Sequence, residues 1–269
     1  MSISFHRRDN GFTRICGHRG FSLHYPENTI VAFEATRDAG GTSCEIDLVL
    51  SRDGEVIVLH DMTLDRTTTG FGYAGDHDWA QIQMLDAGIK TGAQFAGVRV
   101  PTFRETVLWA KANGIGLDAE LKDDDRAALL AQRVIEVLRE TEGFGHVRVI
   151  SFDHKALAAI RKRDERLRTQ AILHARHADV VHVLQACGAE SASIELMMFD
   201  EEDAEAMHKA GLCNRVHLPR PAKLAIGWSY GRDMLPKLRS WIRGGLIDVI
   251  SGDDVLFLRR LVESAGEEA

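Results

Sequence analysis

The sequence lacks long hydrophobic runs, paired cysteines and an excess of positive charge, and each absence disfavours a class of protein. No apolar run approaches the ~20 residues that a membrane-spanning helix needs. The four cysteines are scattered without a C-x-x-C pair, so neither a zinc site nor a disulfide framework is expected. The net charge of -7 disfavours nucleic acid as a partner, because phosphate backbones bind to basic surfaces. A phosphate-binding P-loop is also absent.

The length of the chain favours a single domain, and its polar N-terminus favours a cytoplasmic location. At 269 residues the chain is close to the ~250 residues typical of a (β/α)8 barrel, and no low-complexity linker divides it. We therefore expect a single domain over residues 1–269. Residues 1–15 contain Arg7, Arg8 and Asp9 but no apolar segment of the secretory type. We expect a cytoplasmic location and no stable membrane insertion.

Short apolar runs alternate with amphipathic stretches from end to end, which is typical of an α/β fold with a parallel sheet. The predicted strands cover residues 13–17, 43–49, 55–60, 115–121, 147–151, 168–173, 191–196, 223–229 and 247–251. The predicted helices cover residues 28–39, 102–113, 125–141, 153–163, 178–187, 200–210 and 234–243. Nine strands are one more than a (β/α)8 barrel contains.

The second and third predicted strands must form a hairpin. Only a few residues around Asp53-Gly54 join them, whereas a parallel crossover needs about a dozen or more residues. Asp-Gly is also a favoured type I′ hairpin turn. With the hairpin strand set aside, eight strands remain, and the chain is predicted to be a (β/α)8 TIM barrel. A two-residue loop at Asp53-Gly54 places Asp47 directly opposite His60, on the same face of the hairpin.

Residues 71–99 are glycine-rich and carry Trp79, Ile82 and Leu85 at helical spacing. They form either a small insertion near the mouth of the barrel or a surface loop with one or two helical turns.

Residues 123–125 are three aspartates that we expect to cap the following helix, because acids are favourable at a helix N-terminus.

Two predicted strands carry charged residues that share one face. Glu45 and Asp47 are two residues apart, as are Glu120 and Lys122, so each pair points in one direction from its strand. Three carboxylates that converge on one point repel one another and usually need a cation. All-oxygen ligands favour Mg²⁺, Ca²⁺ or Mn²⁺ over zinc. Glu45, Asp47 and Glu120 are therefore the candidate metal ligands.

Two histidines stand at predicted strand ends beside groups suited to phosphate chemistry. His18 is followed by Arg19, whose guanidinium matches phosphate geometry, and by Gly20, which lets a ligand approach the backbone. His60 closes the hairpin strand. Cleavage of a P–O bond near neutral pH needs one group that takes a proton and one that gives it, and two histidines can do both. Arg19 and Lys122 can stabilise charge on the phosphate oxygens.

The motifs keep one order along the chain and resemble the glycerophosphodiester phosphodiesterase family over most of its length. The residues that carry the resemblance are Gly17-His18-Arg19-Gly20, Pro26-Glu27-Asn28-Thr29, Glu45-x-Asp47, His60-Asp61, Leu64, Arg66-Thr67-Thr68, Gly70, Val100-Pro101-Thr102, Glu120-x-Lys122, Ser151-Phe152-Asp153, Trp228, and Ile247-Asp248-Val249-Ile250 with Asp253. Trp228 and the stretch that begins at Ile247 look like the family's last two strands.

The resemblance implies a (β/α)8 barrel that hydrolyses small-molecule glycerophosphodiesters to glycerol 3-phosphate and an alcohol. It implies that His18 and His60 are the acid–base pair and that the three acids hold a divalent cation, Mg²⁺ or Ca²⁺ and alternatively Mn²⁺. It also implies phosphate contacts from Arg19 and Lys122 and a substrate pocket lined by Trp228.

Several features stay open at this level. Ser229-Tyr230-Gly231 follows Trp228 where the family usually has Thr-x-Asn, so the alcohol leaving group is not defined. One alternative function is a lysophospholipase D that acts on lysophospholipids, and another is a non-catalytic phosphodiester-binding barrel. The attacking group is either water or the glycerol 2-hydroxyl, and either histidine can be the initial base. A homo-oligomer is compatible with the sequence.

Overall fold

Eight parallel strands close into a barrel in the computed structural model, which describes residues 2–122 and 125–266. The strands are β1 Arg14–His18, β2 Ser43–Leu50, β3 Val56–Val58, β4 Gly116–Leu121, β5 Val147–Ser151, β6 Arg168–Leu173, β7 Ser191–Glu195, β8 Cys213–His217 and β9 Val249–Gly252. β1 pairs with β2 on one side and with β9 on the other, which closes the ring. β3 lies outside the ring, antiparallel to β2. The predicted (β/α)8 barrel with a hairpin after its second strand is confirmed.

The described residues also form helices, most of which connect strands and pack against the barrel or against one another. They are α1 Arg7–Asn10, α2 Ile30–Asp38, α3 Trp79–Ile82, α4 Phe103–Asn113, α5 Ala127–Glu140, α6 His154–Arg163, α7 Val180–Cys187, α8 Glu201–Lys209, α9 Pro221–Ser229, α10 Leu235–Arg243 and α11 Val255–Ser264. Asp153 and Asp200 cap α6 and α8, as their side chains accept backbone N–H groups of the first turn. The acidic cap predicted at residues 123–125 includes two residues, Asp123 and Asp124, outside the described part of the chain. No helix in the described ranges is long and apolar enough to cross a membrane.

The strand predicted at residues 223–229 is wrong, because these residues belong to helix α9. Pro221 stands in the first turn of α9, where its missing N–H costs no hydrogen bond. The missing barrel strand is β8, which the apolar pattern does not reveal. Its inner face carries Arg215 and His217, which line a cavity at the barrel mouth, so β8 lacks the continuous apolar run typical of a buried parallel strand. The predicted count of eight is correct only because these two errors cancel.

The hairpin is shifted by one residue from the predicted register. The Leu59 N–H donates to the Asp47 carbonyl at 3.0 Å, so Asp47 lies opposite Leu59 and not opposite His60. The loop has three residues, and Gly54 adopts a φ of 86°, as expected for a three-residue hairpin with a left-handed position. His60 follows the end of β3, and it reaches the barrel mouth from the connecting loop instead of from the strand face.

Residues 71–99 form a small packed insertion beside the hairpin. They contain α3 and two 3-10 turns. Ile82 is fully buried, and Trp79 and Leu85 pack into the same apolar cluster, which includes Ile57 of β3 and is separate from the main core. The helical spacing of these three residues therefore reflects packing into a local apolar cluster.

Candidate active site

The three acids meet at the mouth of the barrel because β2 and β4 are neighbours in the ring. Asp47 is in register with Glu120, and Glu45 lies on the same face of β2 as Asp47. One carboxylate oxygen of each residue lies within 4.8 Å of the other two. All three side chains are buried. The structure thus brings together the candidate metal ligands that the sequence predicts.

Burial makes this cluster unfavourable as a set of bare charges. Burial and repulsion from Asp47 raise the pKa of Glu45 to about 8. Burial and repulsion from Glu45 and Asp47 raise the pKa of Glu120 to about 7. Burial also opposes ionisation of Asp47, but the charges of Lys122 and Arg19 more than compensate, and the pKa of Asp47 lies below its usual value. Asp47 is therefore the acid that stays ionised most readily.

The donor set fits a hard divalent cation. Every candidate ligand atom is a carboxylate oxygen, as Mg²⁺, Ca²⁺ and Mn²⁺ prefer. Asp47 Oδ1 is buried and accepts no hydrogen bond from the described residues. Lys122 Nζ lies 3.4 Å from this oxygen, which is an ion-pair distance with no hydrogen bond. A buried charged oxygen without a donor is costly, and a bound cation would satisfy it.

Two cations line the cavity beside the acids. Arg19 Nε is 3.3 Å from Asp47 Oδ2, and Lys122 Nζ is 2.7 Å from Glu120 Oε1. Both side chains are about one-fifth exposed, so they face the cavity without being fully solvated. They can therefore contact an anionic group that enters the barrel mouth.

A tight turn after β1 sets the position of Arg19. Arg19 adopts a φ of 56°, which is uncommon for a residue with a side chain. Its backbone N–H donates to Glu45 Oε2 at 3.1 Å, so the turn also orients a candidate metal ligand. Gly20 follows with a φ of 79°, and a Cβ there would lie 2.7 Å from Ala32 Cβ. The glycine is required because α2 passes so close to this turn.

His18 is held by a carboxylate from the far end of the chain. Its Nδ1 lies 2.6 Å from Asp253 Oδ1, and Arg220 donates to the other oxygen of Asp253. A carboxylate only accepts hydrogen bonds, so Nδ1 carries a proton and Nε2 is left for the cavity. His18 Nε2 lies 3.8 Å from Glu45 Oε2.

His60 is held in the same way, by the aspartate that follows it in the sequence. Its Nδ1 lies 2.6 Å from Asp61 Oδ1, and Arg66 donates to Asp61. Hydrogen bonds from Arg66, and to a smaller extent the one from His60, lower the pKa of Asp61 to about 2 despite partial burial. Arg66 also donates to Glu27 at 2.8 Å, and Glu27 accepts from Arg19 at 3.1 Å. A chain of alternating charges thus connects His60 to the phosphate-binding candidate Arg19.

Sequence reasoning missed several residues of this site. Asp253 and Asp61 appear in the family motifs, but not as partners of the histidines. Asp61 follows His60 directly, whereas only the fold brings Asp253 to His18. Arg215 and His217 belong to the strand that the apolar pattern does not reveal. The His217 ring lies edge-on to His18 with 4.7 Å between centroids, and burial lowers the pKa of His217 to about 3. The sequence signal for this strand was the alternation of Arg215 and His217 with other residues along residues 213–217.

Trp228 is the one predicted site residue that the structure does not bring to the cavity. It lies half-buried in α9, and its Nε1 is buried without a hydrogen-bond partner among the described residues. His217 stands at the end of the strand before the last, where the resemblance expects Trp228. Residues 227–231 spell Gly-x-Ser-x-Gly, but the Ser229 Oγ donates to the Ile226 carbonyl at 2.7 Å within a helix. This is not the strand-to-helix turn of a serine nucleophile.

The other predicted residues surround one cavity of about 280 Å³. Its walls include His18, Arg19, Glu45, His60, Glu120 and Lys122. Asp47 lies directly behind them, bonded to Asn28 Nδ2 at 2.8 Å. The cavity thus combines two groups that can move protons, two cations and an acidic metal-site candidate.

The chain is thus a closed (β/α)8 TIM barrel with histidines, acids and cations around one cavity at the carboxyl ends of its strands, the face at which TIM-barrel enzymes carry their active sites. Residues 18–218 match the glycerophosphoryl diester phosphodiesterase family, so the chain belongs to that family.

Relatives with known names or structures agree with this family. The glycerophosphodiester phosphodiesterase of Caldanaerobacter subterraneus is 36% identical over 151 residues, which are 56% of this chain and 62% of the relative. That of Bacillus subtilis is 32% identical over 173 residues, or 59% of each chain. The match spans about three-fifths of the length of these curated relatives.

Two solved structures share the fold over nearly the whole chain. A phosphodiesterase of Oleispira antarctica, solved with the product sn-glycerol-3-phosphate, has a TM-score of 0.78 at 22% identity and covers 95% of this chain and 98% of its own. A glycerophosphodiester phosphodiesterase of Agrobacterium tumefaciens has a TM-score of 0.73 at 26% identity and covers 91% of this chain and 99% of its own.

Proposed function

We propose that this protein hydrolyses glycerophosphodiesters to glycerol 3-phosphate and an alcohol, with a divalent cation as cofactor. One observation carries the proposal: two histidines, each held through Nδ1 by an aspartate, face a cavity that also contains three clustered acids. Membership of the family and the names of its relatives support the same reaction. The proposed substrate is a small molecule, and the proposed location is the cytoplasm.

His18 and His60 exchange protons with the reacting groups through Nε2. One histidine takes the proton of the attacking hydroxyl as its oxygen forms a bond to phosphorus. The other gives a proton to the alcohol oxygen as the P–O bond to that oxygen breaks. The attacker is either water or the glycerol 2-hydroxyl. In the second case, water then opens the cyclic phosphate and the products are the same. Asp253 and Asp61 keep each imidazole in the required tautomer.

Glu45, Asp47 and Glu120 would hold the cation, which neutralises charge on a phosphate oxygen when bound. Arg19 and Lys122 contact the remaining phosphate oxygens and stabilise the charge that builds on them in the transition state. Loss of one such donor typically reduces turnover by about 10²–10³-fold. Because both cations also pair with the acids, substrate binding and the acid cluster are electrostatically coupled.

The two alternative functions receive less support. A non-catalytic barrel would need neither proton-transfer group, yet both histidines and all three acids are present and face one site. Lysophospholipase D activity is disfavoured by the relatives, whose names refer to glycerophosphodiesters.

Phosphorus NMR of the purified protein with a panel of glycerophosphodiesters tests the proposal. We expect glycerol 3-phosphate to form with Mg²⁺, Ca²⁺ or Mn²⁺ and not with EDTA. His18→Ala and His60→Ala should each reduce turnover by about 10²–10⁴-fold while the protein stays folded. His182→Ala, on the exposed surface of α7, is the matched control and should keep full activity. Turnover that is unaffected by EDTA, or normal activity in either histidine variant, would contradict the assignment.

A further inference from the structure

A second cavity of about 540 Å³ opens beside the catalytic cavity. The two cavities share His18, Glu195 and His217 in their walls, so they meet at one of the proposed proton-transfer groups. The volume lies within the range of about 300–1,000 Å³ that is usual for small-molecule sites. A substrate whose phosphate lies beside His18 can therefore extend into this second cavity.

The exposed surface of the second cavity is mainly apolar, although six of its lining residues are ionisable. Leu196 and Leu218 form a buried base, whereas Met197 and Ile226 at its edge are 57% and 62% exposed. Apolar side chains that are exposed around a concave surface are covered when an apolar ligand binds. The β7–α8 loop supplies one wall and α9 the other.

One positive charge at this cavity has no ion-pair partner among the described residues. Arg220 is paired with Asp253, whereas Glu195 lies 3.0 Å from His174, which balances its charge only when the histidine is protonated. Lys223 also lines the cavity and has no ion-pair partner in residues 2–122 and 125–266. Quaternary ammonium groups are usually bound by aromatic faces. The described lining contains no Phe, Tyr or Trp, so the cavity is poorly suited to such a group.

We propose that the second cavity binds the alcohol half of the substrate and selects aliphatic alcohols without a positive charge. The proposal rests on the proposed function and adds the class of leaving group. The glycerol half fits the aliphatic walls poorly, because its two hydroxyls would lose hydrogen bonds to water there. The catalytic cavity offers polar partners such as Ser193 and Arg215, so the glycerol half belongs in it.

Three diesters of sn-glycerol 3-phosphate distinguish the effect of charge on the alcohol from the effect of apolar contact. They are the esters of choline, 1-butanol and 4-hydroxybutyrate. For the wild-type protein, kcat/KM should be higher for the butanol and hydroxybutyrate esters than for the choline ester. Lys223→Glu should lower the ratio of hydroxybutyrate to choline ester by about 3- to 30-fold, the range for reversal of one exposed charge. The butanol ester is the internal reference, since it has no charge on its alcohol. Lys209→Glu, exposed at the end of α8 and outside both cavity linings, is the control and should leave the ratio unchanged.

A binding measurement separates this proposal from the proposed function. In protein with ¹³C-labelled methionine methyl groups, the signal that disappears in Met197→Leu reports on the cavity edge. The butanol ester added with EDTA should shift this signal, and Ile226→Ser should weaken the shift. A shift without turnover of any ester would refute the proposed reaction and support the cavity assignment. Preference for the choline ester, an unchanged ratio in Lys223→Glu, or an unshifted Met197 signal would overturn the cavity assignment even if hydrolysis is observed.

Discussion

Asp253 holds His18 in one tautomer, and its replacement by asparagine tests the contribution of that contact to catalysis. Asp253 Oδ1 lies 2.6 Å from His18 Nδ1, a length typical of a charge-assisted hydrogen bond. Asparagine keeps the size but removes the charge, and its amide can turn an N–H toward Nδ1 and shift the proton to Nε2. Loss of a hydrogen bond to a charged group costs about 1.5–3 kcal/mol. This corresponds to about 10- to 150-fold in rate, and the wrong tautomer adds to it, so we expect kcat to fall by about 10²–10³-fold.

The neighbouring residue provides a matched control for Asp253→Asn. Asp254 caps α11 by accepting the Phe257 N–H at 3.0 Å, and it does not line the catalytic cavity. Asparagine is about as good an N-cap as aspartate, so Asp254→Asn should keep both stability and activity. Steady-state kinetics on a glycerophosphodiester, with circular dichroism to establish folding, measure both variants. If Asp253→Asn keeps kcat within threefold of wild type, or if Asp254→Asn loses as much activity, Asp253 does not act through His18.

Two further predictions concern stability. Burial lowers the pKa of half-buried His217 to about 3, below the usual value near 6.5, so the folded state favours the neutral ring. The contribution of the neutral His217 ring to the stability of the fold is complete above pH 6.5 and is lost as the pH falls toward 3. We expect His217→Asn to remove about 2–3 kcal/mol of the loss in unfolding free energy that the wild-type protein shows between pH 7 and 4.5. An identical pH dependence in both proteins would refute this. Arg148 is fully buried and donates to both oxygens of Asp118 at 2.8 and 3.0 Å. Arg148→Met should lower the free energy of unfolding by about 1.5–3 kcal/mol in urea titrations, because it removes buried hydrogen bonds to a charged group while Arg215 still pairs with Asp118. Arg166→Met breaks an ion pair of exposed Arg166 with Asp164 and should cost under about 1 kcal/mol. Equal losses would contradict the role of burial.

Connection length and alternation predict most of the barrel. The hairpin follows from a linker too short for a parallel crossover, and the structure confirms it. Its register cannot be read from the Asp53-Gly54 pair alone, because the same dipeptide also fits a three-residue loop with Gly54 in the left-handed region. Helix α9 resembles a strand because Leu224, Ile226 and Trp228 alternate with small or polar residues. Its Pro221 was the local sign of a helix start.

The candidate site was predictable to the extent that it depends on strand geometry. Residues two apart on a strand share a face, so the convergence of Glu45, Asp47 and Glu120 follows from β2 and β4 being neighbours. The partner of His18 is a different case. Asp253 is 235 residues from His18 along the chain, and only closure of the ring between β1 and β9 brings them together. Patterns within a short window carry no information on such a contact.

The interior of the barrel links the strand that the sequence pattern missed, β8, to the buried acid cluster. Asp118 lies one inward position before Glu120 on β4 and bonds to two buried arginines, Arg148 and Arg215. Two cations and one anion leave net positive charge in the core directly beneath the three acids. The Arg215 charge opposes the rise in the pKa of Glu45 that burial and Asp47 cause, so it favours the ionised carboxylate that a cation site needs. Arg215 can do this only by pointing into the barrel from β8, where an apolar residue would have made the strand visible in the sequence. Arg215 is therefore both the residue that interrupts the apolar pattern of β8 and a residue that stabilises the ionised form of the buried acid cluster.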